Sequence, residues 1–337
     1  MISPYFEQQK LKDRISELTQ RKIKSDIRIV TDCPDFMNIN GGDVYRIERQ
    51  DFFILGDTYE LRFGIGDQPK YWAKHAIDLT NGAHKIIKFI FYEEFVAHIG
   101  PLRIRCYRSP EKESEILNLV RGDKRFMQGI TMQDQGGHTI RVIDFIKGKP
   151  LYAYIFDCEL SHKTYYYQQV PWILKNILKS MEAIKFLHDN KQCHGDIRND
   201  HIIIERETNQ FRWIDFDLTQ NYLDFDLWSI GNILNFILGK GIRTFYEVRR
   251  SNQYSQSIKD SLNSADAAAF YKYRIMNLKK LFPYISDKLS DILLHFTLNS
   301  NRFYENIENI IDDLNTAVSV LPNDKPDNCS SSQKEEK

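Results

Sequence analysis

The sequence predicts an α+β fold, with an antiparallel, β-rich first part and a mainly helical second part. Between Ile27 and about Phe91, short runs of Val, Ile, Phe and Tyr are separated by glycine-containing turn signals, which is typical of an antiparallel sheet. Residues 171–190 instead carry apolar side chains at helical spacing. The change of pattern after the Lys-Gly-Lys-Pro stretch predicts two lobes that join near residues 146–150, with a cleft between them.

The elements of the first part follow from local spacing and capping. Residues 1–45 are expected to form an N-terminal extension with an amphipathic helix and a strand. In the region 46–146, Ser109 is suited to cap a helix in which Pro110 takes the first position. Two strands are expected after that helix, near residues 130–133 and 138–145.

The second part is expected to span residues 147–321 and to be helical except for a small hairpin over about 201–214. The longest apolar run, around Leu227 to Leu238, is too short to cross a bilayer and indicates a buried helix. The polar tail, residues 322–337, is expected to be disordered.

Bulk composition narrows the class of protein. Hydrophobic residues make up 42% and charged residues 27% of the chain, as in an ordinary soluble domain. The formal net charge is zero, so we expect neither a nucleic acid nor a membrane as partner. Five widely spaced cysteines without a CxxC pair predict a reducing, cytoplasmic setting rather than a disulfide framework or a structural zinc site.

Two acidic motifs carry most of the functional signal. His194-Gly195-Asp196 follows a predicted helix, and Ile214-Asp215-Phe216 comes after one short hairpin. The spacing of 19 residues between the two aspartates allows two strands and a turn, which would bring both carboxylates to the same edge. A helix exit followed by a core strand explains the first motif but not the second. We therefore interpret Asp196 and Asp215 as functional residues.

Other residues suit phosphoryl transfer, which needs backbone donors over the phosphates, a cation, metal ligands and an aspartate near the nucleophile. Gly64 and Gly66 lie between two predicted strands, although on the motif alone an ordinary hairpin turn is the favoured explanation, since Pro69 stands where a third glycine is usual. Lys88 lies on the following strand. We expect it to pair with Glu113 on the helix after Pro110, because Leu117 and Val120 continue an apolar stripe beside that glutamate. The alternatives are Glu111 and Glu115, with Glu115 the fallback.

Two further interpretations concern nearby residues. Asp226 begins the buried helix, where it can cap the helix or accept backbone N–H bonds from the loop that holds Asp196. A zinc site is the alternative for a group of residues that are close in sequence but lack a known ligand spacing: His188, Cys193, His194 and His201.

In this order, the motifs resemble those of the protein-kinase-like superfamily over about residues 45–320, in particular the aminoglycoside/choline kinase and atypical bacterial kinase branches. The resemblance implies a bilobal fold that binds ATP and Mg²⁺ or Mn²⁺. It implies that Gly64 and Gly66 cover the phosphates and that Lys88 contacts the α- and β-phosphates. By the same resemblance, the backbone from Ile143 to Ile146, including Asp144, holds the adenine, Asp196 orients or deprotonates the acceptor hydroxyl, and Asp215 binds the metal.

Three departures from the superfamily pattern bear on activity. His201 stands where the family usually has asparagine as a second metal ligand; imidazole suits Mn²⁺ better than Mg²⁺, and Asn199 or Asp200 are alternatives. Asp217 replaces a glycine and could supply the missing oxygen ligand. Only ten residues separate Asp215 from Asp226, which leaves no room for a long activation segment.

The sequence thus predicts an ATP-dependent kinase that transfers the γ-phosphate to a hydroxyl of a protein Ser/Thr or of a small molecule. The alternative is a pseudokinase that acts as a nucleotide-binding or protein-interaction scaffold. His201 and Pro69 favour it, because they replace the usual asparagine and the usual third glycine, and the retained Lys88, Asp196 and Asp215 disfavour it.

Overall fold

The computed structural model describes residues 4–61, 67–99, 102–220 and 224–321. Its helices and strands confirm the predicted α+β fold class. The chain divides into two compact units: unit 1 lies within residues 1–92 and 110–146, and unit 2 within residues 93–109 and 147–337. Gly64, Gly66 and the tail 322–337 lie outside the described residues, so their predicted roles stay predictions.

Unit 1 is built on a seven-stranded sheet with the strand order β1-β2-β3-β4-β5-β9-β8. The described neighbours pair antiparallel, except that β1 and β2 run parallel. Its strands are β1 Ile29–Val30, β2 Val44–Ile47, β3 Gln50–Leu61, β4 Asp67–Asp78, β5 His84–Lys88, β8 Gly129–Gln133 and β9 Thr139–Asp144.

The N-terminal extension packs into unit 1. Helix α1, Pro4–Thr19, places Leu11 and Ile15 in a core cluster with Val44 and Phe53 from β2 and β3. The main core of the unit gathers the apolar side chains of the central strands, among them fully buried Tyr45, Phe52 and Ile87. Helix α2, Pro110–Leu119, begins at the predicted proline and buries Glu113 with Ile116 and Leu117.

Unit 2 is mainly helical, and its long helix α5 matches the predicted amphipathic segment. Apolar side chains at helical spacing bury one face of α5. The helices of unit 2 are α3 Leu151–Phe156, α4 His162–Gln168, α5 Val170–Asp189, α6 Asp224–Gly239, α7 Phe245–Arg250, α8 Gln256–Ser261, α9 Asp287–Leu294 and α10 Ile307–Val318. No helix among the described residues is both long and apolar enough to cross a membrane.

Two small sheets complete unit 2. The first has the order β10-β11-β12 and contains the predicted hairpin; its strands are β10 Gly148–Pro150, β11 Ile202–Glu205 and β12 Phe211–Trp213. The second has the order β13-β7-β6, with β6 Glu94–Ile99, β7 Leu102–Arg108 and β13 Leu218–Gln220.

The β6–β7 hairpin is the main feature of the fold that the sequence analysis did not assign. It belongs with unit 2, although the sequence-based boundaries place residues 93–109 in the first lobe. Ile104 and Cys106 of β7 share a core cluster with Leu218 and with Phe225 of α6. The hairpin therefore continues the core of unit 2, directly beside the segment that follows Asp215.

Candidate functional site

The first cluster of candidate residues lies in unit 1 and is centred on Glu113. Lys88 Nζ lies 2.6 Å from Glu113 Oε1, and Arg141 Nε lies 3.0 Å from Glu113 Oε2. The side chain of Glu113 is fully buried, and those of Lys88 and Arg141 are nearly so. The Lys88–Glu113 contact that the sequence predicts is therefore present. The helical register of α2 selects Glu113 over Glu111 and Glu115 as the glutamate in contact with Lys88.

Arg141 is a member of this cluster that sequence reasoning missed. It lies on β9 directly opposite Lys88 of β5, and its guanidinium also donates to the carbonyl oxygen of Phe89 at 2.9 Å. The only sequence signal is a single cation within the apolar strand Thr139–Asp144. One carboxylate is thus in contact with two buried cations, in a setting where charge interactions are strong.

The predicted adenine-binding residues follow the same strand. Asp144 ends β9, its backbone N–H donates to Gln128, and its side chain forms an ion pair with Lys85. The N–H of Phe145 donates to His84. Asp144 is consequently held at the end of the sheet, and the roles of Asp144 and Ile146 toward adenine stay predictions.

In unit 2, Asp226 organises the loop that carries Asp196. Its carboxylate accepts hydrogen bonds from the backbone N–H groups of His194 and Gly195, both at 2.8 Å, and contacts His188 Nε2 at 2.9 Å. The prediction that Asp226 holds this loop is confirmed. Asp226 lies inside helix α6, which starts at Asp224. Burial opposes ionisation of Asp226, but the His188 hydrogen bond and charge, with the backbone donors, outweigh it and lower the pKa.

Gly195 and Asp215 both adopt the left-handed backbone region. Gly195 has φ of 85°, which suits glycine and explains why that residue stands between His194 and Asp196. Asp215 has φ of 62°, a conformation that is energetically unfavourable for residues other than glycine and is concentrated at functional sites. The ring of His194 packs edge-on against Trp213 and Phe216, which ties the two loops together.

His201 lies between the two aspartates. Its ring Nδ1 is 2.9 Å from the carbonyl oxygen of Asp196 and 3.6 Å from Asp196 Oδ2, while Nε2 is 3.6 Å from Asp215 Oδ2. The carbonyl oxygen of His201 also accepts a hydrogen bond from the N–H of Ile214 at 3.0 Å. The structure therefore brings Asp196 and Asp215 to the same place, as the hairpin spacing predicts, and puts His201 between them.

The geometry around His201 bears on whether a metal ion fits here. A carbonyl oxygen can only accept, so Nδ1 carries a hydrogen, and Nε2 is the ring nitrogen that faces Asp215. That buried nitrogen makes no hydrogen bond in the described part of the chain. A cation bound by both this nitrogen and the Asp215 carboxylate would give each a partner. The pair Asp215 and His201 thus fits a divalent ion that takes its other ligands from phosphate and water.

Asp217, the third predicted metal ligand, has a different partner. Its Oδ1 lies 2.7 Å from a terminal nitrogen of Arg108, whose Nε contacts Glu93 Oε2 at 2.9 Å. The side chains of Arg108 and Asp217 are both about 5% exposed. In the structure Asp217 is therefore part of an ion pair, and its role as a metal ligand stays a prediction. Sequence reasoning missed Arg108; the available signal is that it continues the alternating buried face of Ile104 and Cys106.

The remaining alternatives are placed as follows. Asp200 pairs with Arg198 of its own loop, and the carbonyl oxygen of Asn199 accepts from Tyr152. His188 is engaged by Asp226. Within the described ranges, no group of three or more His, Cys, Asp or Glu residues is arranged to hold a metal ion by itself.

Comparison with known proteins finds similarity to solved structures of protein kinases. No family model and no curated protein matches the sequence. Among solved structures, the Cydia pomonella granulovirus kinase PK-1 is 12% identical with a TM-score of 0.47, covering 78% of this chain and 93% of its own. The autoinhibited serine kinase domain of the giant muscle protein titin is 14% identical with a TM-score of 0.49, covering 80% and 82%. The Mycobacterium tuberculosis PknI kinase domain is 8% identical with a TM-score of 0.47, covering 79% and 95%.

Proposed function

We propose that this protein is an ATP-dependent phosphotransferase that passes the γ-phosphate to a hydroxyl group of a protein Ser/Thr or of a small molecule. The observation that carries the proposal is the arrangement of Asp196, His201 and Asp215, in which one imidazole lies within 3.6 Å of both carboxylates. Phosphoryl transfer requires a proton-accepting or orienting aspartate beside a metal-binding aspartate, and these two loops supply that pair.

The charged groups of the two clusters support the same proposal. The cluster around Glu113 contains the cation of Lys88, a type of group that suits the phosphates of a nucleotide. The cluster in unit 2 contains the carboxylates of Asp196, Asp215 and Asp217, a type of group that suits a divalent cation.

In the proposed mechanism, Asp196 accepts a hydrogen bond from the acceptor hydroxyl and takes its proton as the hydroxyl oxygen bonds to the γ-phosphorus. The bond from that phosphorus to the bridging oxygen of ATP breaks, and ADP leaves. Its position is fixed because Asp226 holds the N–H groups of His194 and Gly195. Lys88, oriented by Glu113, would neutralise charge on the α- and β-phosphates. Asp215 and His201 would hold Mg²⁺ or Mn²⁺, which supplies charge neutralisation on the phosphate oxygens when bound.

The test has a binding arm and a transfer arm. In thermal-shift measurements, ATP with Mg²⁺ or Mn²⁺ at about 100 times its Kd should stabilise the fold by roughly 2.7 kcal/mol. Radiolabelled ATP incubated with protein and small-alcohol acceptors should yield phosphorylated product. Absence of any shift with either metal would contradict the proposal. A larger shift with Mn²⁺ than with Mg²⁺ is expected, since His201 contributes a nitrogen ligand.

A nucleotide-binding scaffold without catalysis is the second candidate. The specific observation in its favour is that His201 stands between the aspartates where an oxygen ligand is usual for Mg²⁺. A scaffold should show the thermal shift without transfer to any acceptor. If the wild-type protein is inactive because of the imidazole alone, replacing His201 with Asn should restore metal-dependent transfer. If the wild-type protein is active, the same replacement should remove its preference for Mn²⁺.

A further inference from the structure

Part of the segment that follows Asp215, residues 218–220, pairs with strand β7 of the β6–β7 hairpin. Strand β13 pairs antiparallel with β7, so that Leu218, Thr219 and Gln220 lie opposite Arg108, Tyr107 and Cys106. The N–H of Ser109 donates to the carbonyl oxygen of Asp217 at 2.6 Å. The chain that leaves Asp215 is therefore held by a strand ladder from an element more than a hundred residues earlier in the sequence.

Arg108 anchors the end of this ladder nearest Asp215. Strand β7 alternates strictly between exposed and buried positions from Arg103 onward, and Arg108 falls on the buried face. Its guanidinium bridges Glu93, at the base of the hairpin, and Asp217. A buried ion pair of this kind costs desolvation, but removing one partner leaves a buried charge uncompensated. The Arg108–Asp217 ion pair thus contributes more to the alignment of β13 with β7 than to the free energy of folding.

The electrostatic environment agrees with this geometry. Burial by itself would lower the pKa of Arg108, but the charges of Asp217, Asp196 and Asp215 and the hydrogen bond to Glu93 outweigh burial and raise it. The guanidinium is therefore permanently charged, and it lies within the field of all three aspartates of the site. Its positive charge reduces the electrostatic repulsion among these carboxylates while no metal is bound.

We infer that the β6–β7 hairpin, through Arg108, is a built-in clamp that keeps the Asp215 loop ordered at all times, and that Arg108 is a positioning residue for Asp215. The inference rests on the proposed phosphotransferase function only for its catalytic consequence. The short connection of ten residues from Asp215 to Asp226 leaves no room for a long segment that could be ordered on demand. The clamp supplies that order constitutively, so activity should need no prior modification of the chain.

The inference and the metal-ligand hypothesis for Asp217 predict opposite results for one variant, Arg108→Gln. If Asp217 is an anchor, Arg108→Gln and Asp217→Asn should act in the same direction. Both should lower kcat, raise the metal concentration needed for half-maximal activity, and combine without additivity. If Asp217 is a metal ligand, Asp217→Asn should weaken metal binding, whereas Arg108→Gln should remove a competing ion pair and strengthen it.

The decisive measurement is amide hydrogen exchange over residues 215–220, which does not depend on catalysis. Loss of the clamp in Arg108→Gln should raise exchange there by about 10- to 100-fold, because a hydrogen bond to a charged group is lost. Arg105→Gln is the matched control: Arg105 lies on the exposed face of the same strand and pairs with Glu94 at the surface. It should leave exchange over residues 215–220 unchanged.

Asp217→Asn and one further variant, Arg108→Lys, show whether misfolding accounts for the result. Asp217→Asn keeps the side-chain shape, and Arg108→Lys keeps the charge but loses the fork that reaches two carboxylates. Both should show intermediate exchange with an intact far-UV spectrum. Unchanged exchange in Arg108→Gln, or opposite metal effects in Arg108→Gln and Asp217→Asn, would overturn the inference. If the wild-type protein transfers no phosphate, the exchange result still decides on the clamp, while the proposed function alone fails.

Discussion

Units 1 and 2 solve the problem of buried charge in opposite ways. Unit 1 surrounds one carboxylate, Glu113, with the cations of Lys88 and Arg141. Unit 2 surrounds one guanidinium, Arg108, with Asp217 and Glu93 and places Asp196 and Asp215 in its field. Because buried charges are costly unless compensated, each cluster places a charge beside charges of opposite sign. The difference between the units is the sign of the central group, a carboxylate in unit 1 and a guanidinium in unit 2.

The largest expected effect comes from removing a negative group of unit 2. Asp196→Asn should lower the rate of phosphoryl transfer by about 10²- to 10⁴-fold, because the general base is lost while the loop retains its backbone hydrogen bonds. The thermal shift with metal and ATP should persist. Transfer rates measured beside binding check this, and an undiminished rate would refute the assignment of Asp196.

Removing the central carboxylate of the unit 1 cluster should have the next largest effect. Glu113→Gln removes the carboxylate that contacts two buried cations, so the free energy of unfolding should fall by about 3–5 kcal/mol. Urea unfolding of the variant measures the loss. Glu115→Gln on the same helix is the comparison variant, since the contact to Lys88 belongs to Glu113. Equal losses in both would break the proposed contrast between the units.

Asp226→Asn tests how strongly Asp226 stabilises the loop that carries Asp196. The carboxylate accepts two backbone N–H bonds and contacts His188, so its loss should cost about 1.5–3 kcal/mol at neutral pH. The pKa of Asp226 is lowered in the folded state, and hence its contribution is fully present above the unfolded pKa of about 4 and is lost as the pH falls through the lower folded value.

The pH dependence gives the check on Asp226. The stability difference between wild type and Asp226→Asn should be constant from pH 7 to about pH 5 and should shrink at more acidic pH. Asp189→Asn, which alters a surface contact with Lys185 at the end of α5, serves as control. A difference that grows on acidification would contradict the lowered pKa.

The smallest expected effect is that of Lys88→Met on stability. Glu113 keeps its contact with Arg141, and Met fills much of the volume, so the loss should stay near or below about 1.5 kcal/mol. Nucleotide affinity should nevertheless fall, because a cation for the phosphates is gone. Unfolding and ATP-binding measurements on one preparation separate the two effects. A stability loss as large as that of Glu113→Gln would show that Lys88, not Arg141, compensates Glu113.

Local regularity made several elements predictable. The apolar spacing of α5, the proline at the start of α2 and the isoleucine-rich hairpin before Asp215 are patterns over neighbouring residues. The Lys88–Glu113 contact was predictable because the helical stripe beside Glu113 distinguishes it from Glu111 and Glu115. The hold of Asp226 on the His194–Gly195 backbone followed from its place at the start of a buried helix.

The residues that the sequence analysis missed are buried cations on strands. Arg141 and Arg108 each occupy a position where an apolar side chain would continue the pattern. Nothing in the neighbouring residues indicates that a carboxylate will meet them, because Glu113 and Asp217 are 28 and 109 positions away in the chain. Only the pairing of distant strands and helices reveals that these charges are compensated.

The sequence by itself determined the α+β class, the order of the motifs and the proximity of Asp196 to Asp215, since short spacing and periodicity dictate them. Tertiary structure alone decided that the hairpin of residues 93–109 joins unit 2, that His201 lies between the aspartates and that Asp217 pairs with Arg108. The physical reason is that burying an unpaired charge costs much free energy, so each buried charge needs a partner. A partner that is distant in the sequence comes into contact only when the chain has folded.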